Sequence, residues 1–265
     1  MTRALLFWFH REARVCAERV RHLRDLHPGQ PIYGLYGGPE EDAGDFERAL
    51  GPHLDDFYTS VRQPDPYLKW LQGDLEIVEW LEARGHALDW GSIAVVQWDL
   101  LLRAPLDRIL PRLGPEHLYL SGLRRIDAAL EARWHWTAHA HHRASYQRFR
   151  AQIARRFGFA GPPMGCLFIF AVLTRRFLET YASEARRFAG FLEYKLPTLA
   201  LLLGFPCLVH DLGVLWDPVE PPTQRPLNAV QAVVPRAYIE AELRRPDGYR
   251  MFHPVPYTWD EGIRA

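Results

Sequence analysis

The sequence predicts an α/β protein with a mostly parallel open sheet and flanking helices. Three observations carry that expectation. Short apolar runs alternate with stretches of helical spacing through the first hundred residues, the order that builds a parallel sheet. Ile93, Ala94, Val95 and Val96 form an uninterrupted apolar run, as a strand buried on both faces does. That run, IAVVQWDLLL (93–102), is broken by a single acidic residue, Asp99, and the carboxyl ends of strands are where open α/β sheets bind ligands. The chain of 265 residues is read as one domain, 1–265, with a regular half (1–100) and a mixed half (101–265).

Taken in order, ALLFWFH (4–10) reads as the first strand. Residues 11–26 carry Val15, Ala17, Val20, Leu23 and Leu26 near helical spacing, and His27, Pro28 and Gly29 stop that helix. PIYGLYGG (31–38) is a second strand ending in glycines, and DDFYTS (55–60) a short third one. A helix over 68–84 follows, with Leu71, Leu75, Val78 and Leu81 on one face and Gly85 closing it; the fourth strand spans 92–98. This order implies right-handed crossovers. Beyond it, 122–157 reads as helical or mixed and rich in Arg, His and Trp. GPPMG (161–165) turns into CLFIFAVL (166–173), read as a buried strand. Helices are expected at 174–189 and 194–203, then FPCLVHDLG (205–213), and PVEPPTQRP (218–226) is a Pro-rich loop.

Composition narrows the classes. Apolar residues make up 48% and charged residues 24%, as in an ordinary globular protein. Lys+Arg and Asp+Glu balance at 32 each, so charge offers no case for a nucleic-acid partner. Lys69 and Lys195 are the only lysines, which fits a GC-rich genome and a bacterial source. No window is long enough to span a membrane, and the N-terminal apolar stretch is too short for a signal peptide. Cys16, Cys166 and Cys207 form no CxxC pattern. These points together predict a cytoplasmic location, with peripheral membrane association left open.

Several motifs are candidates for chemistry. GLYGG (34–38) follows a strand and would let backbone approach a ligand, or it is a plain tight turn. FHRE (9–12) puts His10 and Arg11 at the carboxyl end of the first strand, where Arg can pair with a diphosphate or merely open the next helix. In HWTAHAHH (135–142), His135, His139 and His142 share a face if helical. That is either a metal site lacking the HExxH glutamate or a surface cluster. Trp134 and Trp136 beside it are either a sugar-stacking platform or core. In FLEYKLPTLALLLGF (191–205), Glu193 precedes a helix that would tolerate Pro197 in its first turn and that Gly204 ends. It can serve as a general base or simply complement the helix dipole. His253 lies in an aromatic stretch near the C-terminus, with His210 as a competitor.

The order of these pieces resembles the GT-A type of nucleotide-sugar-dependent glycosyltransferase: an acid at a buried strand's edge, a glycine-led strand, a carboxylate heading a helix, then a late His. The resemblance implies that 1–100 binds a nucleotide sugar and 101–265 forms the acceptor side. It implies transfer of the sugar to the hydroxyl of a carbohydrate, lipid-linked or other acceptor, with inversion. Donor-binding residues would be Phe9, His10, Arg11, Tyr36, Gly37 and Asp99; Gly165, Trp134 and Trp136 would face the acceptor. Glu193 would be the base, and Asp99 and His253 would hold a divalent cation, Mn or Mg. The chain departs from the usual Asp-x-Asp pair: Gln97 stands two residues before Asp99 and Leu101 two after. Either Asp99 and His253 hold the cation with donor phosphates and water, or cationic side chains such as Arg11 replace it. Two other readings stay open. One is a catalytically silent GT-A-like nucleotide-sugar-binding protein. The other is a sugar-nucleotide nucleotidyltransferase, which needs a Gly-rich loop with Arg and Lys where this chain has FWFHREAR.

Overall fold

A computed structural model of the chain describes residues 2–216 and 224–259. Its regular half begins with β1 (Arg3–Phe9), α1 (Ala13–Leu26), β2 (Ile32–Tyr36), α2 (Ala43–Leu50) and β3 (Asp56–Thr59). Helices α3 (Pro66–Leu71) and α4 (Gly73–Ala83) lead to β4 (Ser92–Gln97). The mixed half continues with β5 (Leu101–Leu102), α5 (Leu106–Ile109), β6 (Leu118–Leu120), β7 (Arg124–Arg125), α6 (Ala128–Arg133), α7 (His135–Ala138) and α8 (Ala140–Phe157). After β8 (Met164–Gly165) come β9 (Phe170–Thr174), α9 (Arg175–Ala185), α10 (Leu192–Leu202) and β10 (Cys207–Leu208). The remaining elements are β11 (Val214–Leu215), β12 (Leu227–Asn228), α11 (Arg236–Arg244) and β13 (Met251–Phe252).

Seven strands form the central sheet in the order β10-β6-β9-β4-β1-β2-β3. The run from β4 through β3 is parallel, β9 is antiparallel to both its neighbours, and β10 is parallel to β6. The sheet is thus mostly parallel, as the sequence predicts. Alternate residues of each strand point to opposite faces, and both faces are covered. Leu6, Trp8, Ile93 and Val95 pack into one core, while Leu5, Phe7, Phe9, Ala94 and Val96 pack into the other. This is why 93–96 carries no polar position. A smaller cluster of Leu101, Val234, Ile239, Phe252, Val255 and Trp259 lies under the C-terminal segment.

Several boundaries differ from the sequence expectation for identifiable reasons. The helix expected over 68–84 is two helices broken at Gln72; a Cβ at Gly73 would collide with the Trp8 ring, so glycine lets α4 start against β1. Helix α2 has no counterpart in the sequence reading, since only Phe46 and Leu50, one turn apart, mark its buried face. CLFIFAVL is not one strand. Residues 166–169 form a buried loop tied to neighbours, and the strand proper starts at Phe170. Pro197 is not in the first turn of its helix but in the interior of α10. The carbonyl four residues back, that of Glu193, would be left without its helical donor; the Cys166 N–H takes that place at 2.9 Å. Of the Pro-rich stretch, 218–223 lie outside the described residues.

No helix among the described residues is long and apolar enough to cross a membrane. The three cysteines are unpaired.

Candidate active site

At the carboxyl edge of β1 and β4 lies a cavity of about 480 Å³. It is lined by His10, Arg11, Gln97, Trp98, Asp99, Glu193 and His253, together with Tyr67, Trp70, Phe168, Ile169 and the segments 229–233 and 254–256.

Asp99 and His253 are brought together by strand pairing. Leu101 of β5 pairs antiparallel with Phe252 of β13, and the Val255 N–H donates to the Asp99 carbonyl at 2.8 Å. The segment carrying His253 is anchored from outside the site. Arg19 of α1 is buried, pairs with Glu18, and donates to the carbonyls of Val255 and Tyr257 at 2.9 and 2.8 Å. Glu18 Oε1 accepts the Trp259 N–H at 2.7 Å.

The pair is nearly closed to solvent, with Asp99 9% and His253 8% exposed. His253 Nδ1 lies 2.8 Å from the Asn228 carbonyl. A carbonyl can only accept, so Nδ1 carries the proton and donates. Nε2 then faces Asp99 Oδ1 at 3.3 Å, yet that buried oxygen accepts no well-formed hydrogen bond. Two lone pairs facing at this distance require a positive charge between them, a second proton on the ring or a metal cation. Burial pushes the Asp99 carboxyl up, but the charge and contact of His253, with help from His10, outweigh it and hold the group below its ordinary value.

Glu193, second residue of α10, has its Oε1 bonded by the Phe168 N–H at 2.7 Å. The residue is 8% exposed and lines the cavity. Burial raises its pKa to about 8, since the single backbone donor only partly offsets the loss of water. The loop in front of it is held on every side. Gln97 Nε2 donates to the Phe168 carbonyl, Ser121 Oγ donates to the Leu167 carbonyl, and the Leu167 N–H donates to the Ser121 carbonyl at 3.0 Å. Gln97 therefore has a structural reason not to be the acid of an Asp-x-Asp pair: a carboxylate could not donate to that carbonyl.

His10 also lines the cavity, edge-on to Trp98 at 5.9 Å. Burial and the neighbouring Arg11 lower its pKa to about 4, so the ring is a neutral hydrogen-bonding group at pH 7. Arg11 is exposed at the mouth, its guanidinium 4.9 Å from the Trp98 ring centroid. Two non-glycine residues with positive φ flank the site, Glu12 before α1 and Gln231 on the lining, each at 59°. Backbone held in that region costs on the order of 1–3 kcal/mol and clusters at ligand sites.

The structure thus brings together His10, Arg11, Asp99, Glu193 and His253. Phe9, Tyr36 and Gly37, expected to bind a donor, do not line the cavity. Phe9 and Tyr36 stack with Phe46 and Phe57 in the core. Gly37 donates its N–H to the Phe9 carbonyl, and a Cβ there would lie 3.2 Å from Trp8 Nε1. Gly165 is buried beneath Ile126 and Trp134, and Trp134 packs on Trp216 and Tyr194. Trp136 stacks on Phe191 at 3.9 Å and reaches the cavity only through Trp70, 5.4 Å away. The sequence reading missed Tyr67 and Trp70. Aromatic residues in a short six-residue helix capped by Asp65 carry no motif that would flag them. His210 lies away from this cavity, beside Asp211 on another surface depression.

No family model matches the sequence, and no curated protein matches it. Among solved structures the chain is similar to mouse xyloside xylosyltransferase 1 in its apo form, at 12% identity and a TM-score of 0.43, covering 81% of this chain and 88% of that one. It is also similar to the galactosyltransferase LgtC in complex with donor and acceptor sugar analogues, at 12% identity and a TM-score of 0.41, covering 80% of this chain and 75% of that one.

Proposed function

We propose that the chain is a glycosyltransferase that moves a sugar from a nucleoside diphosphate donor to an acceptor hydroxyl. The observation that carries this reading is the buried Asp99 oxygen facing His253 Nε2 at 3.3 Å on the floor of a cavity at the strand ends, with no well-formed hydrogen bond between them. Charge of that kind is buried at a cost unless a positive charge, from a ring proton or a bound cation, sits against it. A divalent cation fits these two side chains: a carboxylate oxygen and an imidazole nitrogen are both acceptable ligands, and Nδ1 is already committed to its outer partner. With Mn or Mg bound, the metal would supply charge against the leaving diphosphate. Arg11 at the mouth adds positive charge for the same phosphates.

In this reading Glu193 is the base. One oxygen is pinned by Phe168, so the carboxyl is oriented, and a pKa near 8 is matched to taking a proton from a hydroxyl near neutral pH. With Asp99 turned to the cation and Glu193 to the acceptor hydroxyl, the reaction is one in-line displacement, which inverts the anomeric centre. The aromatic wall of Tyr67 and Trp70 offers the apolar face on which a pyranose stacks.

The test is turnover. UDP, GDP, CDP and dTDP sugars are incubated with the protein, with and without Mn and simple glycoside acceptors, and released nucleoside diphosphate is measured. Acceptor-stimulated release from one nucleotide family supports the transferase. Binding without release identifies a silent nucleotide-sugar binder, and neither binding nor release overturns the reading.

A further inference from the structure

We propose that His135, His139 and His142 form a second metal site, separate from the Asp99–His253 pair and suited to a late first-row divalent ion such as zinc. One ligand nitrogen from each of the three lies within 4.8 Å of the others. The rings of His135 and His139, and those of His135 and His142, have centroids 4.9 Å apart. In a tetrahedral zinc site nitrogens about 2.0–2.1 Å from the ion lie roughly 3.3 Å from one another. Small rotations of side chains that are exposed or half-buried therefore close the set.

The backbone that carries the three residues is braced before any ion arrives. Thr137 Oγ1 donates to the carbonyls of Glu131 and Trp134 at 2.8 and 3.1 Å, fixing the single turn of α7 between two ligands. Glu131 in turn accepts from Tyr146 and Arg150 of α8, each at 3.2 Å. His139 caps α8, its Nδ1 accepting the His141 N–H at 3.4 Å, which leaves Nε2 as the ligating atom. The rings of His135 and His142 pack against Trp136 at 4.9 and 4.6 Å.

The donor set selects the ion. Three imidazoles without a carboxylate suit zinc, nickel, copper or cobalt and are poor for magnesium or manganese. Three protein ligands leave a fourth position for water or a ligand. Trp136 touches the histidines and also stacks on Phe191 and Trp70, and Trp70 lines the cavity. An ion here steadies the aromatic wall of the cavity from behind.

The experiment uses tag-free, chelator-treated full-length chain titrated with Co²⁺, read by the visible ligand-field bands of tetrahedral cobalt and by quenching of tryptophan fluorescence. It is run in the wild type and in Asp99→Asn, so that the Asp99–His253 pair cannot account for the signal. The expected result is one saturable equivalent in both, displaced by Zn²⁺. It should be weakened at least about tenfold in His135→Asn and in His139→Asn, the least loss that disturbing even an outer partner of a metal ligand causes. Circular dichroism confirms that these exposed-site variants are folded. Absence of saturable cobalt binding in the wild type overturns the site, as does binding that survives in a folded His135→Asn/His139→Asn double variant. Failure of sugar-nucleotide turnover leaves this result unaffected, because the site is defined without reference to it.

Discussion

Two buried carboxylates, Glu79 on α4 and Glu193 on α10, show how the same group is fully bonded in one place and under-bonded in another. Glu79 accepts from the Tyr58 and Ser60 hydroxyls and from the backbone N–H groups of Val61 and Arg62, at 2.8 to 3.2 Å. Burial pushes its pKa up, but the four donors outweigh that and hold it below the ordinary value. Glu193 has one backbone donor and a cavity beside it, and burial carries its pKa to about 8. The number of donors supplied by the fold separates the two. A fully bonded carboxylate pins the end of β3 to α4, whereas the under-bonded one lies on the cavity wall.

The largest expected effect is on turnover. Glu193→Gln keeps an acceptor for the Phe168 N–H but cannot take a proton, so the rate should fall about 10²–10⁴-fold while donor binding persists. Glu79→Ala should leave the turnover of the folded fraction unchanged. It should instead cost about 3 kcal/mol of stability in denaturant melts, because four donors lose their partner.

The two sites should also respond to pH in opposite senses. The Glu193 pKa is raised in the folded state, so its contribution is fully present below the ordinary value of 4.5 and is lost as pH rises through about 8. Glu193→Gln should therefore gain on the wild type by about 1.4 kcal/mol per pH unit across that window. Glu79 is shifted down, so its contribution is present above the ordinary carboxylate value and is lost on acidification. Glu79→Gln should differ most from the wild type at neutral pH. If both variants drift in the same direction with pH, the contrast is wrong.

The regular half was legible because its physics is local and repetitive. Short apolar runs mark β1 to β4 and a period-3.6 pattern marks α1, and the unbroken run of 93–96 marks a strand covered on both sides. The mixed half was less so. The loop 166–169 is as apolar as the strand that follows it, and only its bonds to Glu193, Gln97 and Ser121 distinguish the two. Pro197 could not be placed in the helix interior from sequence, because the N–H that compensates for it comes from Cys166, 31 residues earlier. Asp99, Glu193, His10 and Arg11, which line the cavity, stand out by their positions at element ends, whereas His253 is singled out only by the order of pieces that the resemblance supplies. The aromatic wall, and the reason for Gln97, emerge only from tertiary contacts.

If a nucleotide donor is held at the Asp99 carboxylate, removing that carboxylate must weaken donor binding. Melting temperature is measured for the wild type and Asp99→Asn against UDP, GDP, CDP and dTDP sugars, each with and without manganese. A ligand that binds the native state raises the melting temperature with concentration. The expected result is a rise with one nucleotide family in the wild type that is lost or strongly reduced in Asp99→Asn. No rise with any donor, or a rise of equal size in the variant, would contradict it.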